Sequence, residues 1–103
     1  MNYNNLEQMK EKELFNLFKN QLNFQEIDKK RFEESEDILS YLVDVGILKS
    51  YSQGKKMCKL NSISINGKKV SLNSVGCENY KPLGNCLLVI KTSKKDFYSI
   101  FLK

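Results

Sequence analysis

The dipeptide that most narrows the possible folds of this chain is Asn66-Gly67. It lies between Ser62-Ile-Ser-Ile65 and Lys68-Lys69-Val70. A two-residue hairpin loop of type I′ needs positive φ at both central residues, and Asn-Gly meets that demand at little steric cost. The turn also sets the register: Ile65 pairs with Lys68 and Ile63 with Val70. Lys68 and Lys69 are therefore expected at the tip of a β hairpin.

Two helices are predicted just before this hairpin. Ser35 suits an N-cap, with Glu36 and Asp37 in the first turn where acids favour the helix dipole. Ile38, Leu39, Leu42 and Val43 recur on one helical face, and Gly46 suits the residue past the C-cap. Ser50-Tyr-Ser-Gln53 then fits a capping box that opens a second helix, running to about Leu60. Its apolar side is Gly54, Met57 and Cys58. Ser52, Lys55, Lys56 and Lys59 share the other side.

The flanks are less regular. Asn5 to Lys19 reads as a helix with a stripe of Leu6, Met9, Leu14, Leu17 and Phe18. Gln21 to Phe32 reads as an irregular connector laying Leu22, Phe24 and Ile27 on the domain. Leu72 to Asn85 is turn-rich and holds the only proline, Pro82. Leu87–Lys91 and Phe97–Leu102 read as strands of a second hairpin, whose loop carries Lys94, Lys95 and Asp96.

Charge divides the chain. Residues 1–44 carry 6 basic and 10 acidic side chains, a net of −4, whereas residues 45–103 carry 11 lysines and only Glu78 and Asp96, a net of +9. A basic half nearly free of acids is the footprint of a polyanion binder. A lysine-rich solvated surface gives the same count, so charge alone does not decide. The chain has no histidine, which removes the commonest general base and metal ligand. No catalytic constellation or metal site is expected. Cys58, Cys77 and Cys86 are read as free thiols of a reducing compartment, with a Cys77–Cys86 disulfide left open. No apolar run is long enough to span a membrane, and the polar start is not read as a signal peptide. Phe97, Phe101 and the phenylalanines of the first helix are assigned to the core, and Tyr51 and Tyr98 are the candidates for base stacking.

Three segments together resemble a known family. Asp37 to Gly46, Ser50-Tyr-Ser-Gln-Gly-Lys-Lys-Met-Cys-Lys59 and Ser64-Ile-Asn-Gly-Lys-Lys-Val70 are similar to the RNA-binding domain named after ribosomal small-subunit protein four, here the S-four domain. Its second helix typically reads Ser-x-Ser-x-Ala-Arg-Arg, two apolar residues and a basic one. Gly54 stands here for the alanine, and Asn61 where glycine is common. Glu13-Leu-Phe-Asn-Leu-Phe18 and the tail from Leu87 to Lys103 narrow the resemblance to the C-terminal domain of bacterial-type tyrosyl-tRNA synthetases. Lys56-Met-Cys-Lys-Leu60 has a superficial likeness to the ATP-gripping Lys-Met-Ser-Lys-Ser loop of class I synthetases. It falls inside a capped helix, and the companion His-x-Gly-His signature is impossible without histidine.

The resemblance implies an α+β fold: an N-terminal helix and connector (1–33), then an S-four helix-turn-helix core with a small, mostly antiparallel sheet from two hairpins (34–103). It implies binding to the anticodon stem and long variable arm of tRNA-Tyr, through Ser52, Lys55, Lys56 and Lys59 first, then Lys68 and Lys69, with Lys49, Lys94 and Lys95. DNA and membranes are not expected partners. The domain itself is expected to be non-catalytic and to need no cofactor. The parent ligase would use ATP and magnesium, dimerise through its catalytic domain and work in the cytoplasm. The alternatives are a free-standing S-four protein acting on ribosomal RNA or in RNA modification, and a protein-interaction module with a basic face.

Overall fold

The computed structural model describes residues 8–21, 23–92 and 97–103. Helix α1 (Glu11–Phe18) leads into strand β1 (Phe24–Ile27) and helix α2 (Lys29–Glu34). The helix pair α3 (Ile38–Asp44) and α4 (Tyr51–Lys59) follows, then the short strands β2 (Ser64–Ile65) and β3 (Lys68–Lys69). A 3-10 turn at Cys77–Asn79 precedes the long strands β4 (Leu87–Lys91) and β5 (Phe97–Leu102). The class is α+β, as expected.

The five strands form one sheet in the order β1-β5-β4-β2-β3. Both expected hairpins are present and antiparallel, and β2 pairs with β4 to join them. The sheet is nevertheless mixed, because β1 runs parallel to β5, with Phe24 opposite Ser99 and Ile27 opposite Leu102. The connector expectation is thus corrected: Gln21 to Phe32 supplies an edge strand and most of a helix. A parallel partner more than 70 residues away leaves no local turn signature.

The sheet is buried on both faces, which explains why β4 reads as the unbroken apolar run Leu-Leu-Val-Ile. Leu88, Ile90, Ile100 and Leu102 face α3 and α4 in the larger core, with Ile38, Leu39, Tyr41 and Leu42. Leu87, Val89 and Phe101 face α1 in a smaller one, with Leu14 and Phe18. Side chains alternate across a strand, so a single run serves both layers.

Among the described residues the first helix begins at Glu11, and residues 8–10 are not helical; the expected start at Asn5, with Leu6, and Leu22 lie outside the described residues. Leu14 and Phe18 are buried as expected, but Leu17 is 49% exposed. Phe15 takes its place, edge-on to Phe24 and Phe101 at centroid distances of 5.8 and 5.0 Å. Phe97 is also a correction. It is 37% exposed and belongs to neither core.

Candidate nucleic-acid interface

The orientation of α4 is set by Asp37. One carboxylate oxygen of Asp37 accepts from the backbone N–H groups of Leu39 (2.8 Å) and Ser40 (3.3 Å), capping α3. The other accepts a short bond from the Tyr51 hydroxyl at the start of α4. One side chain therefore ties the two helices together, and donation to a carboxylate raises the Tyr51 hydroxyl pKa. The expected cap was Ser35. Its hydroxyl instead donates to the Arg31 carbonyl at 2.7 Å, closing α2.

The turn between the helices is built as predicted. Gly46 has φ +87°, and the N–H groups of Gly46 and Ile47 reach the carbonyls of Val43 and Leu42. This is the Schellman pattern, which satisfies carbonyls that the helix end leaves open. Ser50 caps α4 by accepting from Gln53 N at 3.1 Å. The return arm of the box differs by one residue: Gln53 Oε1 accepts from Lys49 N at 2.8 Å.

Gly54 and Cys58 are buried against α3. A Cβ at Gly54 would lie 2.9 Å from Leu48 Cδ1 and 3.1 Å from Leu39 Cδ2. Glycine thus brings α4 closer to its neighbours than the alanine of the S-four pattern would. With that side packed inward, Ser52, Lys55, Lys56 and Lys59 all stand exposed on the other, and Lys49 is exposed at its entrance. The Lys55 ammonium lies 5.6 Å from the centroid of the Tyr51 ring. Tyr51 therefore has its hydroxyl engaged and a cation near its ring, and Tyr98 packs against the larger core. Neither is an open stacking platform.

The hairpin tip is braced from several sides. Asn66 and Gly67 have φ of +51° and +85°, and Ile65 pairs with Lys68. The Asn66 side chain donates to the carbonyls of Lys81 (3.0 Å) and Leu87 (3.3 Å) and accepts from Val89 N (2.7 Å). Lys68 Nζ donates to the Asn79 carbonyl at 2.9 Å and lies 5.3 Å from the Tyr80 ring centroid. Lys69 Nζ donates at 2.9 Å to the carbonyl of Asn61. Asn61 holds φ +53° just past α4, so Lys69 places its charge at the negative end of that helix. Lys94, Lys95 and Asp96 lie outside the described residues.

Sequence reasoning therefore missed Asp37 as the clamp between helices and Asn66 as a hub rather than only a turn residue. An aspartate just before an apolar helical stripe was a legible capping signal. The Asn66 contacts, with residues 15 to 23 positions away, were not legible. The three cysteines are free and buried. Burial, with the nearby charges of Asp37 and Glu78, raises the Cys77 thiol pKa from an ordinary 9.0 to about 11. Burial raises Cys58 and Cys86 as well. Among the described residues, no three His, Cys, Asp or Glu side chains come together to hold a metal ion. None of the described helices is long and apolar enough to cross a membrane.

The family model for the tyrosine–tRNA ligase SYY-like C-terminal domain matches residues 19–100. The chain belongs to this family. The match takes in the α3–α4 pair, β1, the Asn-Gly hairpin and most of the last one, ending inside β5, and leaves α1 outside. No curated protein matches the chain. Membership in a tyrosine–tRNA ligase family points to tRNA as the partner of this C-terminal domain.

Proposed function

We propose that this domain grips tRNA-Tyr by its anticodon stem and long variable arm, so that a parent tyrosine–tRNA ligase can attach tyrosine at a distant site. The observation that carries this reading is the exposed side of α4, where Ser52, Lys55, Lys56 and Lys59 stand together on a helix without a single acid. Lysines arrayed in this way neutralise phosphates and release counterions, which gives affinity that falls with salt. Ser52 adds a hydroxyl for a phosphate or ribose oxygen. Lys68 and Lys69, tied back to carbonyls, shape the hairpin tip and offer RNA their remaining N–H donors. Lys49 extends the face at the entrance to α4. In this reading α3, α4 and the Asn-Gly hairpin form an S-four-type platform that recognises RNA by shape and backbone. The domain contributes binding energy, which positions the acceptor end for reaction elsewhere. Tyrosine activation with ATP and magnesium belongs to other parts of the parent.

Titration of the chain with tRNA-Tyr transcript, with and without the long variable arm, tests the proposal. Binding that weakens with salt and drops when the arm is removed is the expected result. Binding indifferent to the arm would contradict the tRNA-Tyr assignment and favour a general S-four RNA binder. No binding at low salt would favour a protein partner for the basic face.

A further inference from the structure

The basic surface does not stop at α4. Strand register places Lys69, Ser64, Lys91 and Phe97 in one row across four strands: Lys69 opposite Ser64, Ser64 opposite Lys91, Lys91 opposite Phe97. Directly opposed residues point to the same face of a sheet. Neighbouring strands lie about 4.8 Å apart, so Lys91 lies about 10 Å from Lys69 and Phe97 about 14 Å. The row shares its face with Leu87 and Val89, which α1 covers. Within the row Lys69, Lys91 and Phe97 are exposed, while Ser64 between the two lysines is buried. The row also joins the helix, since Lys69 donates to the carbonyl of Asn61 at the end of α4.

Phe97 distinguishes this strip from an ordinary lysine surface. Four large apolar side chains are exposed among the described residues, and Phe97 is the only aromatic one. A partly exposed ring beside one lysine and in line with a second matches the way proteins hold unpaired nucleotides: phosphate on the cation and base on the ring.

We propose that Lys69, Lys91 and Phe97, the exposed members of this row, form a second RNA-contact strip continuous with α4, with Lys91 on a phosphate and Phe97 stacked on an unpaired base. The inference rests on the RNA-binding reading of α4 and extends it to single-stranded nucleotides next to the helical stem.

The test is titration of the full chain and its variants with tRNA-Tyr transcript across a salt series. Lys91→Ala is expected to bind about fivefold more weakly, with a salt slope shallower by about 0.7 to 0.9. Phe97→Ala is expected to bind about tenfold more weakly with an unchanged slope. Phe97→Tyr keeps the ring and is expected to bind within about twofold of wild type. Thermal midpoints of all three stay near wild type, since neither residue is in a core. Wild-type affinity in both alanine variants, with binding lost in the combined Lys55, Lys56 and Lys59 to Ala variant, would overturn the strip and leave the α4 reading intact. A loss in Phe97→Tyr as large as in Phe97→Ala would overturn the stacking role. Failure of the wild-type chain to bind the transcript would overturn both readings.

Discussion

The lysines of α4 and the lysines of the hairpin tip look alike in sequence and are held differently in space. Among the described residues, Lys56 and Lys59 make no side-chain hydrogen bond or ion pair and project from a helix whose other side is packed. Lys68 and Lys69 are folded back, each on a backbone carbonyl at 2.9 Å. The first pair keeps its charge open to a partner and pays for contact in side-chain entropy. The second pair has already lost that freedom, contributes to the fold and offers a partner only its remaining N–H donors. A lysine count measures the field of a surface. It does not tell which ammonium groups are available.

The sharpest way to break this contrast is to uproot the tip. Asn66→Ala removes three side-chain hydrogen bonds, leaves Val89 N–H without its acceptor and forces alanine into positive φ. A loss of about 3 kcal/mol is expected in denaturant melts, from an unsatisfied donor plus a left-handed residue. Asn66→Gly, which relieves only the strain, should recover about 1 kcal/mol of that.

The other half of the contrast rests on Gly54. Gly54→Ala gains about 1 kcal/mol of helix propensity. It also pushes a methyl group to 2.9 Å from Leu48 and 3.1 Å from Leu39, both buried. Overpacking of this kind costs about 1 to 3 kcal/mol. The net expectation is a loss of about 1 kcal/mol. A gain would mean that α4 is not seated as tightly as the structure shows.

Single lysine changes should separate the two groups more finely. Lys68→Ala and Lys69→Ala each remove a charge-assisted bond at an exposed site and should lower stability by about 0.5 to 1 kcal/mol. Lys56→Ala should stay within about 0.5 kcal/mol of wild type. Equal effects on stability would erase the distinction.

The smallest effect is alkaline. Cys77 opens the 3-10 turn whose Asn79 carbonyl holds Lys68. Its folded pKa is raised, so the protonated thiol is the form the fold favours. That contribution is complete below the ordinary thiol range near 9 and is lost as pH rises towards about 11. Thermal midpoints should fall between pH 9 and 11, and Cys77→Ala should flatten part of that fall.

Much of the fold was legible because local rules and global structure agree. Gly46, Asn61, Asn66 and Gly67 all take the positive φ their positions demand. Ser50 caps α4, and the apolar runs of the last hairpin are the central strands. What was not legible depends on distant partners. Residues Phe24–Ile27 become a strand only because β5 offers a parallel edge. Asp37 surpasses Ser35 as a cap because its second oxygen finds Tyr51. Leu17 leaves the core, whereas Phe15, expected there, is held by Phe24 and Phe101, which lie where a ring can meet them. The exposed lysine side of α4 was readable from spacing alone. That Lys68 and Lys69 are tied back was not, because their carbonyl partners lie 11 and 8 residues away, in the 3-10 turn and just past α4.

The most direct test compares the salt dependence of tRNA-Tyr binding for three proteins: wild type, the combined Lys55, Lys56 and Lys59 to Ala variant, and the combined Lys68 and Lys69 to Ala variant. The slope of log affinity against log salt counts the phosphates neutralised. The α4 variant is predicted to lose about 2 to 3 from that slope and most of the affinity, and the hairpin variant less than about 1. An α4 variant that keeps the wild-type slope and affinity would contradict the account.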